Sequence, residues 1–129
     1  MSINILVIDD EEVIRKSFIL ALDGTGYNVE TAESGEKGIG KARETNFDLI
    51  FLDLKMPGLD GIETLREIWK IGRTIPIYIT TAFYDDFLDQ LQSATDDGIS
   101  FYLLKKPVDR DEIRSIAKVV SEHRIQFSR

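Results

Sequence analysis

The chain contains no cysteine and a single histidine among its 129 residues, and both shortages exclude chemistry. Without cysteine there can be no disulfides, no thiolate metal sites and no cysteine nucleophile. His123 falls on a charged helical segment without a partner motif, so we interpret it as a surface residue and not as a phosphorylated histidine. No apolar run approaches the length needed to span a bilayer. The start of the chain lacks a basic stretch followed by a long apolar one, so no secretory signal is predicted.

Positive charge is also scarce, with 16 Lys and Arg against 23 Asp and Glu and a formal net charge of −7. Nucleic-acid binding normally needs a basic face, so we expect protein partners or small cations and no direct nucleic-acid or membrane contact. The length indicates one domain, residues 1–129, with a full core. Since neither a signal nor a membrane span is predicted, we expect a cytoplasmic protein.

Short β-rich runs alternate with segments of helical spacing along the whole chain. The strand-like runs are Ile3–Ile8, Tyr27–Ala32, Asp48–Leu52, Ile75–Thr81 and Phe101–Leu104. This alternation with short links predicts an α/β fold, a doubly wound parallel sheet with five helices on its two faces. The second helix, about residues 34–44, is the weakest prediction because Gly38 and Gly40 lower its propensity. The fourth, about residues 85–97, is rich in acids and expected to be less firmly held.

Four residues are expected to cap helices. Ser34 precedes the second helix, and Asp60 and Asp109 are each followed three residues later by glutamate, the capping-box spacing. Asp10 precedes Glu11 and Glu12 and is expected to cap the first helix.

Three aspartates stand where buried strands end: Asp9 and Asp10 after the first run, and Asp53 after the third. In open α/β folds, the crevice outside the carboxyl ends of the strands holds ligands. Carboxylates brought that close repel one another and raise one another's pKa values unless a cation or a proton lies between them. Oxygen ligands of this kind suit Mg²⁺ better than zinc or copper. The pattern therefore predicts a magnesium site suited to phosphate chemistry.

Further motifs at the strand ends make the chain resemble the receiver domains of two-component response regulators. Besides the three aspartates, these are Met56-Pro57-Gly58-Leu59-Asp60-Gly61, Thr81-Ala82 and Lys106-Pro107. The resemblance covers Ile3 to about Val120. It implies the flavodoxin-like fold of chemotaxis regulators, with sheet order 2-1-3-4-5.

The resemblance also implies an activity. Asp53 would accept a phosphoryl group from a histidine kinase or phosphotransfer protein, in a signalling domain that catalyses its own phosphotransfer and dephosphorylation and is not otherwise an enzyme. Asp10 and Asp53 would bind Mg²⁺, together with Asp9 and the backbone carbonyl of Lys55. Thr81 would donate a hydrogen bond to one phosphoryl oxygen, and Lys106 would form an ion pair with another.

Two positions leave alternatives open. One extra residue separates Gly98 from the Lys-Pro pair compared with the usual family pattern. Lys106 is favoured for the phosphoryl contact, because a cis bond to Pro107 would fix the backbone beside it, and Lys105 remains the alternative. Thr80 also carries a hydroxyl, but alternation along the strand lets only one of the two threonines face the phosphate, and Thr81 is favoured because a small residue, Ala82, follows it.

Phosphorylation is expected to move Thr81 inward and to let Tyr102 or Phe101 rotate. The surface of the fourth helix, fifth strand and fifth helix would then bind a downstream protein or a second copy. Lys55 and Phe83 are expected to flank the path of the water that hydrolyses the phosphoaspartate and to shield it.

Other functions fit the sequence less well. A phosphohydrolase of the haloacid dehalogenase type needs an acid two residues after the nucleophile, where this chain has Lys55. A nucleotide-binding module needs a glycine-rich loop after the first strand, where this chain has acids that repel phosphate. Within the family, the alternatives are a free-standing receiver, which we favour, and a receiver excised from a larger regulator with an output domain.

Overall fold

A computed structural model gives a five-stranded parallel sheet with the strand order β2-β1-β3-β4-β5. It describes residues 2–56, 58 and 60–127, with side chains as far as residue 123. The strands are β1 (Asn4–Ile8), β2 (Asn28–Ala32), β3 (Leu49–Asp53), β4 (Ile77–Thr81) and β5 (Tyr102–Lys105). The helices are α1 (Glu12–Ala21), α2 (Gly35–Glu44), α3 (Gly61–Ile71), α4 (Leu88–Asp96) and α5 (Arg110–Phe127). The predicted fold class and strand order are confirmed.

Both faces of the sheet are covered, which explains the continuous apolar runs of its central strands. One core includes Ile8 and Leu52 and lies beneath α2, α3 and α4. The other includes Val7 and Phe51 and lies beneath α1 and α5. Because neighbouring side chains along a strand point to opposite faces, each central strand supplies both cores.

Every predicted strand is present, with ends that differ by one or two residues. Ile3 is buried, at 1% exposure, but lies just before the hydrogen-bonded residues of β1. The apolar run that predicted this strand is therefore one residue longer than the strand itself. At the other end of the strands, Asp53 is the last residue of β3 and Lys105 is the last residue of β5. They belong to these strands because they pair with Thr80 and Thr81 of β4.

Three of the predicted caps are confirmed. The Ser34 hydroxyl accepts a hydrogen bond from the Lys37 N–H, and the Asp60 carboxylate accepts one from the Glu63 N–H. Asp109 and Glu112 form the reciprocal pair of a capping box.

The Asp10 cap is wrong. Glu11 occupies the N-cap position of α1 and makes no side-chain capping bond. Instead, the Asp9 carboxylate accepts a hydrogen bond from the Glu11 N–H at 2.9 Å. Asp9 lies two residues before the N-cap position, so the bond closes the turn between β1 and α1 and does not cap the helix.

The fourth helical segment is broken. A 3₁₀ turn, Tyr84–Phe87, precedes α4, which begins at Leu88. Neither the turn nor α4 has a side-chain cap at its start, which agrees with the weaker hold expected for this segment. Within the described part of the chain, no helix has both the length and the hydropathy needed to cross a membrane.

Candidate functional site: an acidic pocket at the carboxyl edge of the sheet

The three aspartates meet at one edge of the sheet because β1 and β3 are neighbours in register, with Ile8 opposite Leu52. Asp9, Asp10 and Asp53 each offer a carboxylate oxygen, and these oxygens all lie within 4.8 Å of one another. Asp9 and Asp53 are buried, at 1% and 4% exposure, and Asp10 is the most open of the three. The strand order therefore turns two separate sequence signals into one acidic pocket.

Lys106 places an ammonium group in this pocket. Its Nζ lies 2.9 Å from Oδ2 of Asp9 and 3.2 Å from Oδ1 of Asp53. The bond between Lys106 and Pro107 is cis, as predicted. Lys105, in contrast, has an exposed side chain that lines a neighbouring cavity. Of the two lysines, Lys106 is thus the one brought to the aspartates.

Two further contacts hold Asp9, and the sequence analysis did not predict them. The Glu11 N–H donates to Oδ1 of Asp9, and Nη1 of Arg15 donates to its backbone carbonyl at 2.9 Å. Arg15 lies on the first turns of α1, one helical turn beyond Glu11. A basic residue six positions after a strand-end acid was the available signal.

Gly61 packs closely against the end of β3. A Cβ at this position would lie 2.4 Å from the backbone oxygen of Asp53 and 2.4 Å from Cα of Leu54. The Gly61 N–H donates to the Leu54 carbonyl at 2.9 Å. Only glycine lets the start of α3 approach the end of β3 this closely.

The charges in the pocket are incompletely balanced. Burial raises the pKa of Asp53 to about 6, the Asp9 carboxylate adds to the rise, and the Lys106 ammonium opposes it. For Lys106, burial acts to lower the pKa, but the hydrogen bond to Asp9 and the charges of Asp53 and Asp9 outweigh it, so the pKa is raised. One ammonium therefore does not neutralise three carboxylates, and the pocket favours additional positive charge.

The donor set fits a hard divalent cation. It consists of closely spaced carboxylate oxygens, and the one histidine of the chain lies elsewhere, at position 123 on α5. Carboxylates without thiolates or imidazoles are typical of sites for Mg²⁺, Ca²⁺ or Mn²⁺. The acidic triad is thus of the kind that binds metal, and the predicted metal residues Asp9, Asp10 and Asp53 are together.

The pocket opens to solvent through a cavity of about 590 Å³. It is lined by Asp10, Glu11, Asp53, Lys55, Met56, Ala82, Phe83 and Lys106. Lys55 and Phe83 come from different loops and meet at this opening, where the Lys55 ammonium lies 4.0 Å from the centre of the Phe83 ring. Both side chains predicted to flank Asp53 therefore line the opening of the pocket.

Thr81 lies beside the acidic pocket. Its hydroxyl accepts a hydrogen bond from the Phe83 N–H at 2.9 Å. Its side chain lines an adjacent cavity of about 550 Å³, which shares only Ala82 and Phe83 with the opening to the aspartates. Thr80 is also buried and pairs with Asp53 in the ladder.

Neither aromatic residue at positions 101 and 102 lines the Thr81 cavity. Tyr102 stacks on Tyr78, its ladder partner, with ring centres 4.7 Å apart, on the face covered by α1 and α5. Phe101 packs against the opposite core. Leu103, which the sequence analysis did not single out, lines the cavity with Thr81. Counting three residues back from Lys106 gives Leu103, and this was the signal that could have identified it.

Comparison with known proteins agrees with this geometry. Residues 5–118 match the family of the response regulator receiver domain. The chain belongs to this family. The receiver domain is a phosphoacceptor signalling module of two-component systems, and membership implies a histidine kinase as partner.

The chain is also similar to solved structures of a receiver domain protein and of a chemotaxis protein. This chain superposes on the CheY-like response regulator receiver domain protein of Methanospirillum hungatei with a TM-score of 0.83 and 26% sequence identity. The alignment covers 98% of this chain and 99% of that one. The corresponding values for chemotaxis protein CheY4 of Vibrio cholerae are 0.79 and 26%, over 93% and 99%.

Curated relatives are longer. The receiver domain is 41% identical over 97 residues to transcriptional regulatory protein ResD of Bacillus subtilis, covering 74% of this chain and 40% of that protein. It is 35% identical over 122 residues to transcriptional regulatory protein ZraR of Escherichia coli, covering 95% of this chain and 27% of that protein. The receiver domain thus spans well under half the length of either regulator.

Proposed function

We propose that Asp53 accepts a phosphoryl group from a phosphohistidine of a histidine kinase or a phosphotransfer protein, with Mg²⁺ as the cofactor. The observation that carries the proposal is the position of the Asp53 carboxylate. It lies at the end of β3, beside two other carboxylates, with the Lys106 ammonium 3.2 Å away. Of the three acids, Asp53 alone is followed by the sequence Met56–Gly61, whose last residue donates a hydrogen bond to the Leu54 carbonyl.

The transfer makes and breaks one bond each. A carboxylate oxygen of Asp53 forms a bond to phosphorus, the phosphorus–nitrogen bond of the donor breaks, and its electron pair stays on the donor imidazole. This step needs little covalent help from the protein and depends on positioning and on neutralising the phosphoryl charge. Lys106 supplies one such charge, and Thr81 supplies a hydroxyl once it moves toward the phosphoryl oxygens.

Asp9, Asp10, Asp53 and the backbone carbonyl of Lys55 are the proposed metal-binding groups. The bound Mg²⁺ would neutralise charge on the phosphoryl oxygens. Since the Asp9 carboxylate already accepts from Glu11 and Lys106, Asp10 and Asp53 have the freer oxygens for direct ligation, and Asp9 would act directly or through water.

The output of the signal is part of the proposal. Phosphorylation changes the surface formed by α4, β5 and α5, which then binds a downstream protein or a second copy of the chain. Residues 1–129 act as a single receiver domain in the cytoplasm. The transcriptional regulators it resembles carry further segments, so the domain works either by itself or within a larger regulator.

Phosphorylation by a small donor tests the acceptor. Incubation with acetyl phosphate and Mg²⁺ should add one phosphoryl group per chain, measured by intact mass. Asp53→Asn should abolish the addition, because the amide is not a nucleophile for this reaction. Asp10→Ala should leave the acceptor in place but raise the Mg²⁺ concentration needed for half-maximal labelling.

A matched control lies at the other end of the same strand. Asp48 precedes β3, and its carboxylate accepts a hydrogen bond from the Asn4 N–H, which an asparagine oxygen can also accept. Asp48→Asn should therefore be labelled like the unmodified protein. Full labelling of Asp53→Asn would overturn the assignment.

A further inference from the structure

A cation–π contact closes the side of the acidic pocket. The Lys55 ammonium lies 4.0 Å from the centre of the Phe83 ring. Lys55 follows β3, and Phe83 follows β4, so the contact joins the two loops across the opening above Asp53. The Phe83 N–H in turn donates to the Thr81 hydroxyl. We refer to this contact as the Lys55–Phe83 bridge.

The two lysines that line the opening are in different situations. Lys106 is largely buried and already paired with Asp9 and Asp53. Lys55 is exposed and rests on an aromatic face. Among the described residues that line the opening, these two are the cations. Lys55 is thus the cation at the opening whose ammonium can move to a new partner.

We infer that Lys55 is a second phosphoryl-binding cation, which the Phe83 ring holds at the mouth of the pocket until Asp53 is phosphorylated. The inference rests on the proposed function of Asp53. An exposed cation–π contact is worth about 0.5–1 kcal/mol. Phosphorylation replaces a carboxylate of one negative charge by a group carrying about 1.5 to 2, and charge-assisted hydrogen bonds to its oxygens are stronger than the ring contact. The ammonium therefore leaves the ring for the phosphoryl group.

This movement has two consequences. Phe83 loses its partner in the loop after β3, so the segment that carries Thr81 and Phe83 is released just when Thr81 must move. Lys55 then covers a phosphoryl oxygen, and as an ammonium it has no lone pair with which to activate an attacking water. The bridge thus couples occupancy of Asp53 to freedom of the loop between β4 and α4.

Nuclear magnetic resonance can observe the bridge directly. A methylene next to an ammonium that lies over a ring resonates upfield of free lysine because of the ring current. The Lys55 ε-methylene should show this upfield shift in the unphosphorylated protein. It should return toward the free-lysine position when Mg²⁺ and beryllium trifluoride, a stable mimic of the phosphoryl group, are added. Phe83→Leu, which keeps apolar bulk without the ring, should remove the shift at the start.

The affinity for beryllium trifluoride gives an independent test, because replacing Phe83 and replacing Lys55 should change this affinity in opposite directions. Phe83→Leu frees Lys55 from the ring and should tighten binding by about two- to five-fold, the equivalent of the lost ring contact. Lys55→Met removes the ammonium and should weaken binding, by less than the full worth of an ion pair because the ring contact no longer has to be broken. The double variant should behave like Lys55→Met, since no bridge remains to break.

Two neighbouring residues provide matched controls. Tyr84 is a similarly exposed aromatic next to Phe83, and Lys105 is an exposed lysine next to Lys106, but both line the adjacent cavity and not the opening. Tyr84→Leu and Lys105→Met should leave the affinity unchanged.

The outcomes separate this inference from the proposed function. If the unmodified protein binds the mimic but the Lys55 shift persists, or if Phe83→Leu and Lys55→Met change affinity in the same direction or not at all, the role of the bridge is wrong and the acceptor assignment stands. If neither the mimic nor acetyl phosphate modifies Asp53 in the unmodified protein, the proposed function itself fails.

Discussion

At the scale of single residues, Asp53 combines a chemical role with a cost to stability. Its carboxylate is buried beside Asp9, the Lys106 ammonium offsets the charge in part, and burial raises its pKa from 3.8 to about 6. A carboxyl whose pKa is higher in the folded than in the unfolded state holds its proton more tightly when folded. Ionised Asp53 therefore destabilises the metal-free protein at neutral pH, and the same unfavourable charge is what makes the site bind a cation.

Replacing Asp53 should consequently stabilise the metal-free protein. In EDTA at pH 7.5, Asp53→Asn should raise the free energy of unfolding by about 1–2 kcal/mol, measured by chemical denaturation. The penalty it removes is complete above pH 6 and disappears as the pH falls through 6 toward 3.8, so the advantage of the variant should shrink over that window. Saturating Mg²⁺ should reverse the order, because the ion stabilises only the protein that binds it well. An advantage that grows on acidification would contradict this account.

At the scale of elements, α2 shows that two similar glycines in one helix have different roles. Both Gly38 and Gly40 lower helix propensity. A Cβ at Gly38 would lie 2.4 Å from Cδ1 of Ile8, a side chain with 0% exposure, whereas a Cβ at Gly40 would meet nothing within 4 Å. Gly38 is therefore needed for α2 to pack on β1, and Gly40 is not.

This difference makes a paired prediction for thermal or chemical unfolding. Gly38→Ala should lower the free energy of unfolding by about 1–3 kcal/mol, because a buried β-branched side chain must move to accept the methyl group. Gly40→Ala should raise it by about 0.5–1 kcal/mol through helix propensity alone. Both remove one helix glycine, so equal effects in either direction would show that packing on Ile8 does not decide the outcome.

The contrast between local propensity and packing also explains which features could be predicted from the sequence. Strands, most helix caps and the meeting of Asp9, Asp10 and Asp53 were predictable, because they follow from period, local capping chemistry and strand order. The contact of Arg15 with the Asp9 carbonyl depends on how α1 is placed after β1, and the spacing of a basic residue six positions after a strand-end acid does not by itself fix that placement. Along β5, a shift of one residue decides which side chains lie on the same face of the sheet as Thr81. Leu103 was therefore not predicted to line the cavity with Thr81, although Lys106 was correctly predicted to reach the aspartates.

At the scale of the whole molecule, the segment between β4 and α4 has fewer side-chain hydrogen bonds at its start than at the far end of α4. The 3₁₀ turn Tyr84–Phe87 lacks a side-chain cap and borders the cavity beside Thr81. The other end of α4 is linked to α3 by Arg66, which lies 2.7 Å from Asp97 and 3.3 Å from the Ser93 hydroxyl. Inward movement of Thr81 should therefore be taken up mainly at the start of this segment.

Amide hydrogen exchange can map this distribution. On addition of acetyl phosphate and Mg²⁺, exchange should change across residues 83–97 and 100–110, most strongly at Phe83–Leu88, with the effect decreasing toward Asp97 because Arg66 holds that end. Asp53→Asn with the same reagents is the control and should show no change in these segments. Arg66→Met should extend the change along α4 without altering the labelling of Asp53. Changes confined to the immediate neighbours of Asp53, or strongest at the Arg66 end of α4, would mean that the acceptor does not act on the output surface through this loop.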